Sequence, residues 1–253
     1  MTPFLFGSES YALIFLSLVG VYAGAQNVFA GGGSFITFPA LMLAGLDPLS
    51  ANITSTVALS PSQLTSSIAG RNLVSGVHAT SFKQLFIVSL LGGGLGALLL
   101  LSTPVRVFVQ IVPWLILFAT IVFAWGSFGR KTEVHKNIPS YALLIIQVIV
   151  AIYGGYFGGG IGILMLALLT FAGQQIKAAT ATKNVLAFAM NVAAVSIFAF
   201  SPLVNWTAVL ALGFGGIVGG LIGSWLLHRL PEKLVRGFII LVGTALTIWL
   251  FIR

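Results

Sequence analysis

Lys183 stands inside an apolar run, residues 176–200, with Thr180, Thr182 and Asn184 beside it. An ammonium at membrane depth is costly and usually faces a bundle interior or a wet cavity. Together with hydroxyls and a carboxamide it suits an oxyanion, because the exposed amides of a helix N-terminus favour the same ligand. The matching patch 128 residues earlier is Asn52, Thr54, Ser55 and Thr56, where Ser55 takes the place of Lys183. One cation therefore serves two patches. Substrate binding is assigned to these eight residues, with Asn27, just ahead of a glycine run, as a further cavity-lining candidate. The alternative for Lys183 is an ammonium that snorkels to an interface or packs on helix carbonyls.

Other polar residues carry less. Asn191 lies about two helical turns past Lys183 on the same face. Ser60, Ser62 and Gln63 flank Pro61, a kink whose freed carbonyls need partners, so local satisfaction is expected there. Asp47 precedes Pro48 and suits a helix cap; Asp47 and Lys177 are the two candidates for ion coupling. His78, His135 and His228 fall in or beside loops without metal-ligand company. The chain has no cysteine, hence no disulfide, thiolate metal site or cysteine nucleophile. Gly92-Gly93-Gly94 lacks the Gly-Lys-Ser/Thr of a phosphate-binding loop. No catalytic residue, metal site or cofactor is expected.

The elements that position these residues are repeated. Ala30–Val57 returns loosely as Gly158–Val185, with Gly31/Gly159, Gly32/Gly160, Leu41/Leu169, Gly45/Gly173, Ala51/Ala179 and Thr54/Thr182 identical under the shift of 128. Each copy opens on a glycine run (Gly31, Gly32, Gly33; Gly158, Gly159, Gly160) and continues as a short apolar helix. It then breaks at Gly45 or Gly173 before a longer helix begins. Interrupted apolar segments at matching places in two halves point to a transporter's binding site. Gly92-x-x-x-Gly96 and Gly219-x-x-x-Gly223 also match, and read as close helix packing.

Composition sets the class. Of 253 residues, 58% are hydrophobic and 6% charged, and the mean hydropathy is +1.09; this is an all-α polytopic membrane protein. The net charge of +8 is scattered through loops with no basic stripe, which argues against nucleic acid. Apolar runs predict about eight transmembrane helices plus short hairpin segments at 34–45 and 161–172. One integral domain is expected over 1–253: repeat one about 10–126, a cytoplasmic linker 127–138, repeat two about 139–251. The first run lacks a basic flank and is expected to be a retained span rather than a signal peptide.

Basic residues cluster in three loops: Arg71 and Lys83; Arg130, Lys131 and Lys136; Arg229, Lys233 and Arg236. The positive-inside bias puts these loops in the cytoplasm and both termini outside. That closes only if each hairpin returns to its side of origin, so that the two halves are inverted relative to each other, a recurring transporter design.

The glycine-rich openings, the short helices, the small polar breaks and the Ala-x-x-Thr pattern (Ala51 to Thr54, Ala179 to Thr182) resemble the sulfite exporter TauE/SafE family over nearly the whole chain. The resemblance implies an inner-membrane carrier for sulfite, thiosulfate, sulfonates or related organic anions. The expectation is a secondary transporter, an exporter by alternating access, whose two hairpins meet at a midplane site. Its partners are a small anionic substrate and the lipid bilayer, with room for a homodimer. The alternatives are an anion channel of the same fold, or a membrane enzyme or assembly protein.

Overall fold

The computed structural model describes residues 8–29, 32–69, 71–128, 138–226 and 232–252. They form α1 (Glu9–Phe29), α2 (Ser34–Leu43), α3 (Pro48–Ala69), α4 (Phe82–Ser102), α5 (Val105–Phe128), α6 (Ser140–Tyr156), α7 (Ile161–Phe171), α8 (Ile176–Phe198), α9 (Trp206–Leu226) and α10 (Glu232–Ile252). One 3₁₀ turn, Arg71–Leu73, and one antiparallel bridge, Val77 to Thr80, shape the loop before α4. Most of the predicted linker 127–138, and Gly31, lie outside the described residues.

Among the described residues three helices are long and apolar enough to cross a membrane: Phe82–Ser102, Val105–Trp125 and Ile176–Phe198, of mean hydropathy 2.2, 2.4 and 1.4. α6, the first helix of the expected second repeat, has 17 residues. Gly158, at φ +75°, turns the chain just past its end. The two short runs are α2, 10 residues, and α7, 11 residues.

Both short helices stop in the same way. Gly45 N–H donates to Met42 O, and Leu46 N–H reaches back to Leu41 O. Gly173 N–H donates to Thr170 O, and Gln174 N–H to Leu169 O. This paired closure needs a left-handed residue after the cap, and Gly45 (φ +98°) and Gly173 (φ +92°) supply it. Asp47 then starts α3: its Oδ1 accepts from Leu49 N–H at 3.0 Å and Ser50 N–H at 3.1 Å. The predicted cap is the role it fills.

Packing joins the halves crosswise. α1 lies along α9, and α4 lies along α6 and α8. α3 touches α8 and α9, while α5 packs on α10. The contacts are close enough to require glycine. A methyl on Gly24 would meet the carbonyl oxygen of Gly216, and one on Gly155 that of Gly93. Gly92, Gly96 and Gly219 are equally crowded, as the packing reading of their motifs expects. Buried between α4 and α6, Gln147 Nε2 donates to Ser89 Oγ at 2.8 Å.

Candidate ligand-binding site

α3 and α8 cross with opposite chain direction. Asn191 Nδ2 donates to Thr56 O at 3.5 Å, and ten residues further along α3, Ser66 O accepts from Asn184 Nδ2 at 3.4 Å. Rising numbers on one helix meet falling numbers on the other. Where they cross there is a cavity of about 20 Å³, room for about one water molecule. Its polar lining is Ser34, Thr56, Gln63 and Asn191; Leu59, Ala187 and Met190 complete the helix walls. Gly154 and Gly158 add the end of α6. A sulfonate would need these helices to part.

Gln63 departs from expectation. Its Oε1 is buried and accepts no hydrogen bond among the described residues. The local satisfaction expected around Pro61 holds for Ser62, whose Oγ donates to Leu59 O at 2.8 Å. It does not extend to Gln63, because a glutamine side chain reaches off its own helix and ends in the crossing.

The predicted site residues are placed as follows. Thr56 lines the cavity and donates to Asn52 O at 2.9 Å. Asn52 Nδ2 donates to Tyr156 O at the end of α6, 3.0 Å. Thr54 Oγ1 accepts from Asn205 N–H at 3.1 Å, ahead of α9. Ser55 pairs with Thr37 of α2 at 2.6 Å. In the second patch Thr180 bonds back to Ile176 O. Thr182 Oγ1 accepts from Ser75 N–H at 3.2 Å and from Gln174 Nε2 at 3.0 Å. Asn27 Oδ1 accepts from Gly33 N–H at 2.9 Å and its Nδ2 donates to Ser62 Oγ at 3.3 Å, so it braces the first glycine break rather than lining the cavity. Gly32, Gly158 and Gly160 have positive φ. Lys177 and Asp47 are exposed.

The expected meeting of the two hairpin patches is corrected. α3 and α8 both start at a hairpin break and run antiparallel, so the patches Asn52–Thr56 and Thr180–Asn184 lie toward opposite ends of the crossing, with Thr56 reaching the cavity and Asn184 bonding Ser66 O. Each patch holds a loop of the other half: Thr54 holds the backbone of Asn205, and Thr182 that of Ser75. The side chains that do meet are Thr56, Gln63 and Asn191. Sequence reading named all three but did not join them. The signal was present, since the shift of 128 carries Gln63 onto Asn191.

Lys183 is buried, 5% exposed, and forms no hydrogen bond or ion pair among the described residues. Its counterpart Ser55 has Thr37 as partner, whereas the residue matching Thr37 in α7 is Met165. It shares a helix face with Ala187, Met190 and Asn191. A second recess, about 310 Å³, lies under the Val77–Thr80 turn and is lined by Ser75, His78, Gln174 and Ala178. Ala178 and Ala187 are nine residues apart, about half a turn around α8, so the recess and the cavity lie on different faces of the helix.

The profile of the family described as "Sulfite exporter TauE/SafE" matches residues 16–250. A "Probable membrane transporter protein ORF9" of Sinorhizobium sp. is 30% identical over 244 residues, 94% of this chain and 92% of that protein. A "Probable membrane transporter protein" of Haemophilus influenzae is 28% identical over 247 residues, covering 95% and 94%. The "Probable membrane transporter protein YfcA" of Escherichia coli K12 is 28% identical over 236 residues, covering 92% and 87%. No solved structure matches.

Proposed function

The chain belongs to the TauE/SafE sulfite exporter family, and from that premise we propose that it is a secondary transporter that exports a small anion, sulfite or an organosulfonate, by alternating access. The observation that carries this reading is the cavity at the α3–α8 crossing. Polar groups from both halves of the chain face it. Carboxamides and hydroxyls from two helices converging on one cavity are what a transported solute needs.

Lys183 supplies the charge. It stands one turn from Ala187 on the face that lines the cavity, about 6 Å along the axis. A buried cation with no counter-ion among the described residues favours an anion beside it. The matching position to Thr37, which holds Ser55, is Met165, which offers the ammonium no strong hydrogen-bonding group.

Two inverted halves with about eight spans fit the crosswise packing. α1 on α9 has its counterpart in α6 on α4, and α3–α8 and α5–α10 each pair a helix with its own equivalent. Under this reading the protein lies in the inner membrane with both termini outside. Export follows from electrostatics: an interior-negative potential of about 100 mV favours exit of one negative charge by about 2.3 kcal/mol. That is roughly a fifty-fold gradient, so a monoanion needs no coupling ion. Asp47, occupied in capping α3, is not required for coupling.

The test is a thermal-shift screen of the purified protein against sulfite, thiosulfate, sulfoacetate, taurine, acetate and chloride. Stabilisation by sulfite or a sulfonate, and not by chloride or acetate, supports the reading. Stabilisation by none of them rejects it.

A further inference from the structure

The two carboxamides of the crossing form a matched pair. Gln63 and Asn191 are equivalent under the repeat shift of 128, as are Leu59 and Ala187, and all four line the one cavity. The cavity therefore sits where the two halves present equivalent surfaces to each other. No charged side chain lines it among the described residues.

The pair is used unequally. Asn191 Nδ2 makes one long bond, 3.5 Å, to Thr56 O, so it is weakly held and readily given up. Gln63 Oε1 is buried and accepts nothing among the described residues. An acceptor shut away from water without a donor is costly, so a ligand that brings a donor gains by meeting it. The carboxamide N–H groups in turn call for ligand oxygens. A ligand that satisfies both has anionic oxygens at one end and an O–H or N–H group close by.

We infer that Gln63 and Asn191 are paired ligand contacts that select a singly charged oxyanion bearing its own O–H or N–H donor. Asn191 Nδ2 binds the anionic oxygens. Gln63 Oε1 accepts from the ligand's donor. The selection rests on the transporter reading above but concerns which anion is preferred, not whether anions are carried. Because the two residues are equivalent, the contact remains available whichever half has moved.

The probes are isethionate, a sulfonate with a hydroxyl, and 1-propanesulfonate, of similar size and charge but with a methyl in its place. Affinities are measured by isothermal titration on the purified full chain. Wild type should bind isethionate about ten-fold more tightly, the equivalent of one good hydrogen bond. Gln63→Met keeps the length and removes the acceptor, and should bring the two affinities to within about two-fold of each other. Asn191→Leu should weaken both probes by about ten-fold while keeping the preference. Melting without ligand shows whether each variant is folded; if Gln63→Met does not fold, Gln63→Glu serves, and should weaken both probes through its negative charge. Equal affinities in wild type, or a preference that survives in folded Gln63→Met, or probe binding unchanged in folded Gln63→Glu, overturns the inference. If wild type binds sulfite but prefers propanesulfonate, only this inference falls. If wild type binds neither probe nor sulfite, the transporter reading falls with it.

Discussion

Gln63 on α3 and Asn191 on α8 line one cavity from antiparallel helices, and they stand 128 positions apart, the shift that relates the two glycine runs. A repeat inverted across a membrane brings equivalent helices together at its axis, where a site can serve both sides. Under the proposed inverted repeat, the α3–α8 crossing is where that axis falls. The hairpin tips lie away from it, because the helices that follow them run in opposite directions.

Lys183 carries a sign that separates binding from folding. It is 5% exposed and unpaired among the described residues, so its burial costs stability. Lys183→Met should raise stability without ligand by about 1–3 kcal/mol and remove stabilisation by sulfite. Melting curves with and without anion check both parts. A variant less stable than wild type would mean that the ammonium has a structural partner.

The loop contacts predict which tips share a side. Thr182 and Gln174 hold Ser75, so the α7–α8 tip sits by the loop before α4. Thr54 holds Asn205, which ties α3 to the loop before α9. Single cysteines at His78 and Gln175, both exposed, should resist an impermeant label in intact cells. Cysteines at Asp47 and Phe200, also exposed, should react. Labelling of His78 and Gln175 from different sides would break the packing described.

Glycine substitutions test the crosswise contacts. A methyl at Gly24 or Gly155 meets backbone oxygen, which cannot swing aside, whereas one at Gly94 finds only side-chain atoms at 3.7 and 3.8 Å. Gly24→Ala and Gly155→Ala should each lower stability by about 1–3 kcal/mol. Gly94→Ala should be neutral or mildly stabilising, since alanine favours the helix. Thermal melting in detergent reads the contrast.

Asp47 separates capping from coupling. Asp47→Ala should cost about 0.5–2 kcal/mol through the lost cap and leave the ion dependence of anion flux unchanged. Flux that becomes independent of a proton or sodium gradient only in this variant would give Asp47 a coupling role instead.

Local structure was legible in the residues; the meeting of helices was less so. The glycines at 45 and 173 and the aspartate at 47 announce their breaks because each acts through backbone within a few positions. The short α2 and α7 follow from the same punctuation. α6 is shorter than a full span because Gly158, at φ +75°, turns the chain just past Tyr156. The α3–α8 cavity was not legible in the sequence for a tertiary reason. Polar residues close in sequence, such as Asn52 to Thr56, spread around a helix and serve different neighbours. Gln63 and Asn191 differ by one methylene, and matching by identity passed over them.

The most direct test of the account is flux of labelled isethionate or sulfite from proteoliposomes under an imposed potassium diffusion potential, with proton and sodium gradients added or withheld. The account predicts saturable, protein-dependent efflux that an interior-negative potential accelerates, with no requirement for either ion gradient, and its loss in Lys183→Met. Flux that strictly requires an inward proton or sodium gradient, or that shows no dependence on potential, would contradict it.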